Sequence, residues 1–282
     1  MTIGLTRQWA GRVLFWALVL CIAVYTVFPF YWAIISSVKP RNELFSTPVV
    51  YWPSRCNLET YRSVFTERRF GRNILNSGIV AGGTAAASLV IGSLAAYALG
   101  RLPFKGKNFV LYTVLTMTMF PQISILGGLF LLIRAIGLYN TWWGLILSYS
   151  TFTLPFTVWV LAAFFRELPA ELEQAALVDG ATPIQTFRLV LLPLAAPALV
   201  TTGLLAFIAA WNEFIFALTF TVNDSARTVP AAIAFFSGST HYEIPWGEIM
   251  AASVIVTLPL IVLVFVFQRR IVEGLTAGAI KG

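Results

Sequence analysis

Long apolar runs alternate with short polar stretches along this chain, and the runs predict its architecture. Five of them, Val13–Ser36, Asn73–Gly100, Asn108–Ile133, Leu145–Phe165 and Ile249–Gln268, carry no charged residue, and a sixth, from about Leu194 to Phe220, carries only Glu213. About 20 apolar residues cross the hydrocarbon core as a helix, so all six are long enough. Lipid offers no partner for backbone N–H and C=O groups, which favours helices that satisfy their own. The expectation is an all-α integral membrane protein, one transmembrane domain over residues 1–282 with six spans. Pro29, Pro121, Pro155 and Pro259 fall inside spans and should kink them without ending them. Gly82 and Gly83, with small neighbours through Ala87, predict close helix packing.

The polar island between the fourth and fifth spans, Arg166–Pro193, is more elaborate than a hairpin connection needs. Pro169 suits the first turn of a helix, and Glu171 and Glu173 sit where the helix dipole favours negative charge. That helix should run to Asp179 and stop at Gly180, a left-handed cap, giving a rod of roughly 16 Å. Thr182 can then cap a second helix that begins at Pro183. On the first helix Leu168, Leu172, Ala175, Ala176 and Asp179 share a face, while Leu177 and Val178 point elsewhere. Apolar residues on two sides call for two neighbours: the protein's own bundle and a second body that the paired alanines would admit closely. Spacing alone equally allows an amphipathic loop helix packed only on its own protein.

Composition agrees with a membrane setting, at 58% hydrophobic and 11% charged residues. The first run is longer than a signal-peptide core and lacks a small-residue cleavage site, so it is expected to stay as a span. With six spans both termini share a side. Placing them inside puts ten basic residues there (Arg7, Arg12, Arg101, Lys105, Lys107, Arg166, Arg188, Arg269, Arg270 and Lys281) and nine outside. Leaving out the Lys39–Arg72 connection, whose YRSVFTERRF stretch suggests an amphipathic helix at the membrane surface, makes the count ten against two. The net charge of +7 is scattered at membrane edges, which argues against a nucleic-acid partner. Cys21 and Cys56 predict neither a disulfide framework nor a metal site, and no Walker-type or H-E-x-x-H motif is present.

The island's E-x-A-A-x-x-D-G-A-x-P pattern (Glu173, Ala175, Ala176, Asp179, Gly180, Ala181, Pro183), followed by VLLP ending at Pro193, resembles the EAA loop of importer-type ATP-driven permeases. The resemblance extends over nearly the whole chain through SVKP (Ser37–Pro40), NLETY (Asn57–Tyr61), AAYALGRLPFKGK (Ala95–Lys107), WNEF (Trp211–Phe214) and the tail GLTAGAIKG (Gly274–Gly282). The chain is similar to the second permease subunit of the maltose/trehalose class of carbohydrate importers. The resemblance implies a type I ABC importer permease fold in a bacterial or archaeal cytoplasmic membrane, both termini cytoplasmic. It implies that loop 166–193 is a cytoplasmic coupling loop seated on an ATPase subunit. It also implies a second permease, an ATPase dimer that holds ATP and Mg, and an extracytoplasmic sugar-binding protein. Gln174 stands where the family has its name-giving glutamate, with Glu173 one place earlier, which puts an ion pair from that position in question.

The same resemblance implies that Gly238, Ser239, Thr240, His241 and Tyr242, in the connection Thr221–Glu248, reach the binding protein. It implies further that Gly274–Gly282 of the cytoplasmic tail 269–282 inserts between the ATPase subunits, through Leu275, Thr276 and Gly278. Trp211, Asn212 and Glu213 are candidates for the solute path or for a polar network that holds the bundle. A carbohydrate substrate, a di- or oligosaccharide or a glycosylated compatible solute, rests on the resemblance alone. From the residues themselves a non-sugar solute, an ion-coupled secondary transporter and a membrane enzyme all stay open, although no catalytic constellation is evident in this chain.

Overall fold

The structure, a computed structural model, describes residues 2–236 and 244–276, and among these every regular element is a helix. The order is α1 (Thr2–Val38), α2 (Arg41–Leu44), α3 (Glu59–Thr66), α4 (Phe70–Arg101), α5 (Lys107–Thr118), α6 (Gln122–Ala135) and α7 (Trp142–Glu167). There follow α8 (Glu171–Val178), α9 (Pro183–Thr186), a π-helical turn (Phe187–Leu191), α10 (Leu192–Leu194), α11 (Ala196–Trp211), α12 (Ile215–Phe220), α13 (Val229–Ala234) and α14 (Trp246–Thr276). The described residues fall into two compact units, one drawn from 1–69 and 236–258, the other from 70–235 and 259–282.

In the first unit, α1 leaves its apolar run unburied, with Leu14, Trp16, Leu20 and Tyr25 all exposed, as a helix that meets lipid or another subunit would. Its C-terminal end is tied down. Ser37 Oγ lies 2.7 Å from Tyr61 OH, Asn57 N donates to Val38 O at 2.8 Å, and the Lys39 ammonium sits over the Trp32 ring and donates to Val50 O. The expected amphipathic helix of the 39–72 connection is α3, shorter than YRSVFTERRF suggested and packed within its own unit, with Val64 fully buried.

The second unit is organised around α4 and α7, with α11 packed on both. Small residues set the approach: a Cβ on Gly83 would lie 2.7 Å from Ile146 Cδ1, and one on Gly92 would lie 2.6 Å from Thr157 Cγ2. Gly82, paired with Gly83 in the expectation, faces open space instead. Ser88 Oγ and Thr153 Oγ1 close a buried hydrogen bond across the same interface at 2.8 Å.

Two segments expected as single helices are broken. The 108–133 run is α5 and α6, bent by 98° across Met119–Pro121, because Pro121 has no N–H to continue α5 and takes an extended ψ of 124°. Pro29, Pro155 and Pro259 lie within continuous helices. The 194–220 run is α11 and α12, separated at Asn212–Phe214, and the helical stretch ahead of it, Pro183–Leu194, meets α11 at 77°. Four helices are therefore long and apolar enough to cross a membrane, or six if each bent pair counts as one span.

Candidate functional site

The polar loop between α7 and α11 is a built platform. Its first helix, α8, is shorter than expected: Pro169 and Ala170 form a lead-in turn, and the helix proper is Glu171–Val178. Its end is as anticipated. Gly180 has φ of +84°, Ala181 N donates to Ala176 O at 2.9 Å, and Gly180 N donates to Leu177 O at 3.1 Å. Those two bonds form a Schellman motif around a left-handed glycine. The second helix starts with a full capping box: Gln185 N donates to Thr182 Oγ1 at 3.3 Å, and Thr182 N donates to Gln185 Oε1 at 2.8 Å, with Pro183 at the first position.

After that turn the backbone takes a π-helical course over Phe187–Leu191. This extra residue in the turn places Phe187 and Leu191 inward, in a core with Tyr97, Leu161, Phe165 and Ala195. The rings of Tyr97 and Phe187 are 5.0 Å apart, and both contact Phe165, an aromatic triad that fixes the loop's second half to α4 and α7.

A single arginine fixes the first half. Arg101, in the last turn of α4, donates to the carbonyls of Leu168 (2.8 Å), Phe165 (3.3 Å) and Pro169 (3.3 Å). Its guanidinium also pairs with Glu173 Oε2 at 3.1 Å. Glu173 is thus engaged within the chain, whereas Gln174, beside it, is exposed. The two alanines expected to admit a second body divide: Ala176 is buried within the chain, and Ala175 faces out. Leu177, Val178 and Ile184 are exposed, Val178 to 87%, and Asp179 lies beside them. A rigid platform that spends two helices presenting uncovered Leu, Val and Ile is suited to receiving a partner.

Trp211, Asn212 and Glu213 do not present one surface. Trp211 and Glu213 are buried, and Asn212 is exposed, its amide donating to Ile208 O at 2.9 Å. Glu213 sits in the break between α11 and α12, and its two carboxylate oxygens accept from Phe216 N (2.8 Å) and Ala217 N (3.1 Å). It caps α12 and meets backbone donors that a broken helix inside an apolar environment must satisfy. Trp211 stacks on Phe207 at 5.6 Å.

A polar clamp at the other end of α4 was not anticipated. Asn76, fully buried, donates to the carbonyls of Arg227 (2.9 Å) and Asp224 (3.0 Å) and accepts from Trp142 Nε1 (3.0 Å). Asn73 donates to Arg227 O, Ser77 Oγ accepts from Val229 N, and Asn140 binds Asn223, Ser225 and Val222 N. The stretch after α12 is therefore held on the bundle. The candidate residues Gly238, Ser239, Thr240, His241 and Tyr242 lie outside the described residues, as does Gly278; α14 extends through Leu275 and Thr276.

Comparison with known proteins gives a consistent picture. The family model "Binding-protein-dependent transport system inner membrane component" matches residues 88–276. The chain is 46% identical to the trehalose transport system permease protein SugB of Mycobacterium tuberculosis, over 97% of this chain and 99% of that one. It is also 46% identical to the trehalose/maltose transport system permease protein MalG of Thermococcus litoralis, over 92% and 93% of the two. Among solved structures it resembles a chain of a bacterial ABC transporter involved in the import of the acidic polysaccharide alginate. The TM-score there is 0.80 at 20% identity, covering 93% of this chain and 97% of that one, a likeness of fold.

Proposed function

The chain belongs to the family of binding-protein-dependent transport system inner membrane components, and from that premise we propose that it is one permease half of an ATP-driven sugar importer. The relatives named for trehalose and maltose support a di- or oligosaccharide as the solute. In this reading α5 with α6 forms one span and α11 with α12 another, giving a type I importer bundle of six. Both termini and loop 166–193 face the cytoplasm of a bacterial or archaeal cell. A second permease completes the path, an ATPase dimer carrying ATP and Mg drives it, and a binding protein outside delivers the sugar.

The observation that carries the proposal is the anchored platform with its exposed Leu177, Val178 and Ile184. A push on these residues reaches α4 through Arg101 and reaches α4 and α7 through the Tyr97–Phe165–Phe187 triad. Because packed side chains deform little, the loop moves with the spans as one body and converts ATPase closure into helix movement. Glu213, in its capping position, holds α12 in the bundle; an unpaired carboxylate facing lipid there would cost about 2.5–3.5 kcal/mol. Reconstitution in proteoliposomes with the partner subunits tests the function. ATP-dependent uptake of trehalose or maltose is expected, and uptake of a non-sugar solute with no sugar uptake would overturn the carbohydrate assignment.

A further inference from the structure

The first unit contains a cavity of about 720 Å³, walled by α2, α3 and the start of α14. That is within the roughly 300–1,000 Å³ of small-molecule sites. We infer that this cavity binds a neutral sugar unit, as a subsite outside the translocation path. The inference rests on the importer reading, under which these segments lie on the extracytoplasmic side.

Three features point to that ligand class. The floor is built and occupied: Glu248, 7% exposed, accepts from Arg68 Nε at 2.8 Å and from Ser63 Oγ at 3.1 Å, so it is an already satisfied wall. The α3 side is open. Among the described residues no ion pair or hydrogen bond engages the side chains of Glu59, Arg62 or Glu67, which offer a planar donor fork and two acceptors along α3 and its C-cap. Hydroxyl groups in pairs are what such a donor and acceptor set matches. Trp246 and Phe45, 41% and 69% exposed, supply apolar ring surface at the same cavity, against which the C–H face of a pyranose packs.

Charge decides against an acidic ligand. Glu248 is neutralised by Arg68 and the Lys39 ammonium is committed to Val50 O, which leaves Arg41 and Arg62 facing Glu59 and Glu67, two against two. A carboxylated sugar would meet two unpaired glutamates on the open wall.

The test uses the assembled permease complex in lipid nanodiscs without its binding protein, with trehalose and glucuronic acid as probes. Saturation-transfer NMR should detect trehalose and give at most a trace with glucuronic acid. Arg62→Ala should weaken trehalose binding about tenfold, as loss of one charge-assisted hydrogen bond does. Thr60→Phe, which fills the cavity from α3, should abolish the signal while leaving the thermal unfolding of the complex unchanged. A trehalose signal that survives both substitutions, or none in the unsubstituted complex, overturns the subsite. Sugar uptake by the same unsubstituted complex in proteoliposomes is read in parallel, so the failure of the subsite and the failure of the importer reading give separate results.

Discussion

Replacing Arg101 by Met should loosen the polar loop more than any other single change. The arginine is 9% exposed and makes four contacts: one to Phe165 O in α7 and three to the loop, at the carbonyls of Leu168 and Pro169 and at the Glu173 carboxylate. Methionine keeps the stem's volume and removes all four. What remains is a carboxylate 21% exposed, with Oε2 stripped of its partner and Oε1 already without one. Breaking a buried pair from one side costs about 3–5 kcal/mol, and the partial exposure of Glu173 puts this case near 3 kcal/mol. That corresponds to roughly a hundredfold in the local opening equilibrium. Amide hydrogen exchange across Glu171–Gly180 should rise by about that factor while the middle of α4 is unchanged. Adding Glu173→Gln should recover part of the loss, because no charge is then stranded, so the two substitutions should be less than additive. Unchanged protection in Arg101→Met, or simple additivity in the double variant, would refute the reasoning.

Three further outcomes follow from the same geometry. A Cβ at position 180 meets nothing within 4 Å, so Gly180→Val acts through its φ of +84° alone; it should cost about 1–2 kcal/mol and reduce sugar uptake per ATP hydrolysed in proteoliposomes. Glu213→Gln keeps one acceptor for α12 and should lower thermal stability by about 1–2 kcal/mol, with the ranking of transported sugars unchanged; an altered ranking would place the side chain in the solute path instead. Deleting Leu275–Gly282 should lower ATPase activity in the assembled complex, and unchanged activity would leave the tail without a coupling role.

The parts legible from sequence were those decided by neighbouring residues. Apolar runs predicted helices, and Gly180, Thr182 and Pro183 marked the loop's turn because caps and left-handed positions depend on local chemistry. What escaped was decided by distant contacts. Pro121 breaks its segment by 98° while Pro29, Pro155 and Pro259 stay inside helices, although all four look alike in sequence. Arg101 reads as one more basic residue at a membrane edge until its carbonyl partners, more than 60 positions away, are seen. The π-helical turn shifts which residues face inward after Phe187, so a regular helical period cannot find the aromatic triad. Asn73 and Asn76 offered a usable signal: two amides three residues apart at the start of an apolar run need partners, and a polar turn elsewhere had to supply them.

The central claim is that α8 presents its exposed face to an ATPase subunit, and a crosslink tests it most directly. With Cys21 and Cys56 replaced by Ser, a cysteine at Val178 in the membrane-assembled complex should be captured by the ATPase through a short bifunctional reagent. A cysteine at Val222, exposed beside the polar clamp, should not. Strong capture at Val178 and none at Val222 is the predicted result. A complex that hydrolyses ATP and imports sugar while Val178→Cys stays uncrosslinked would contradict the account.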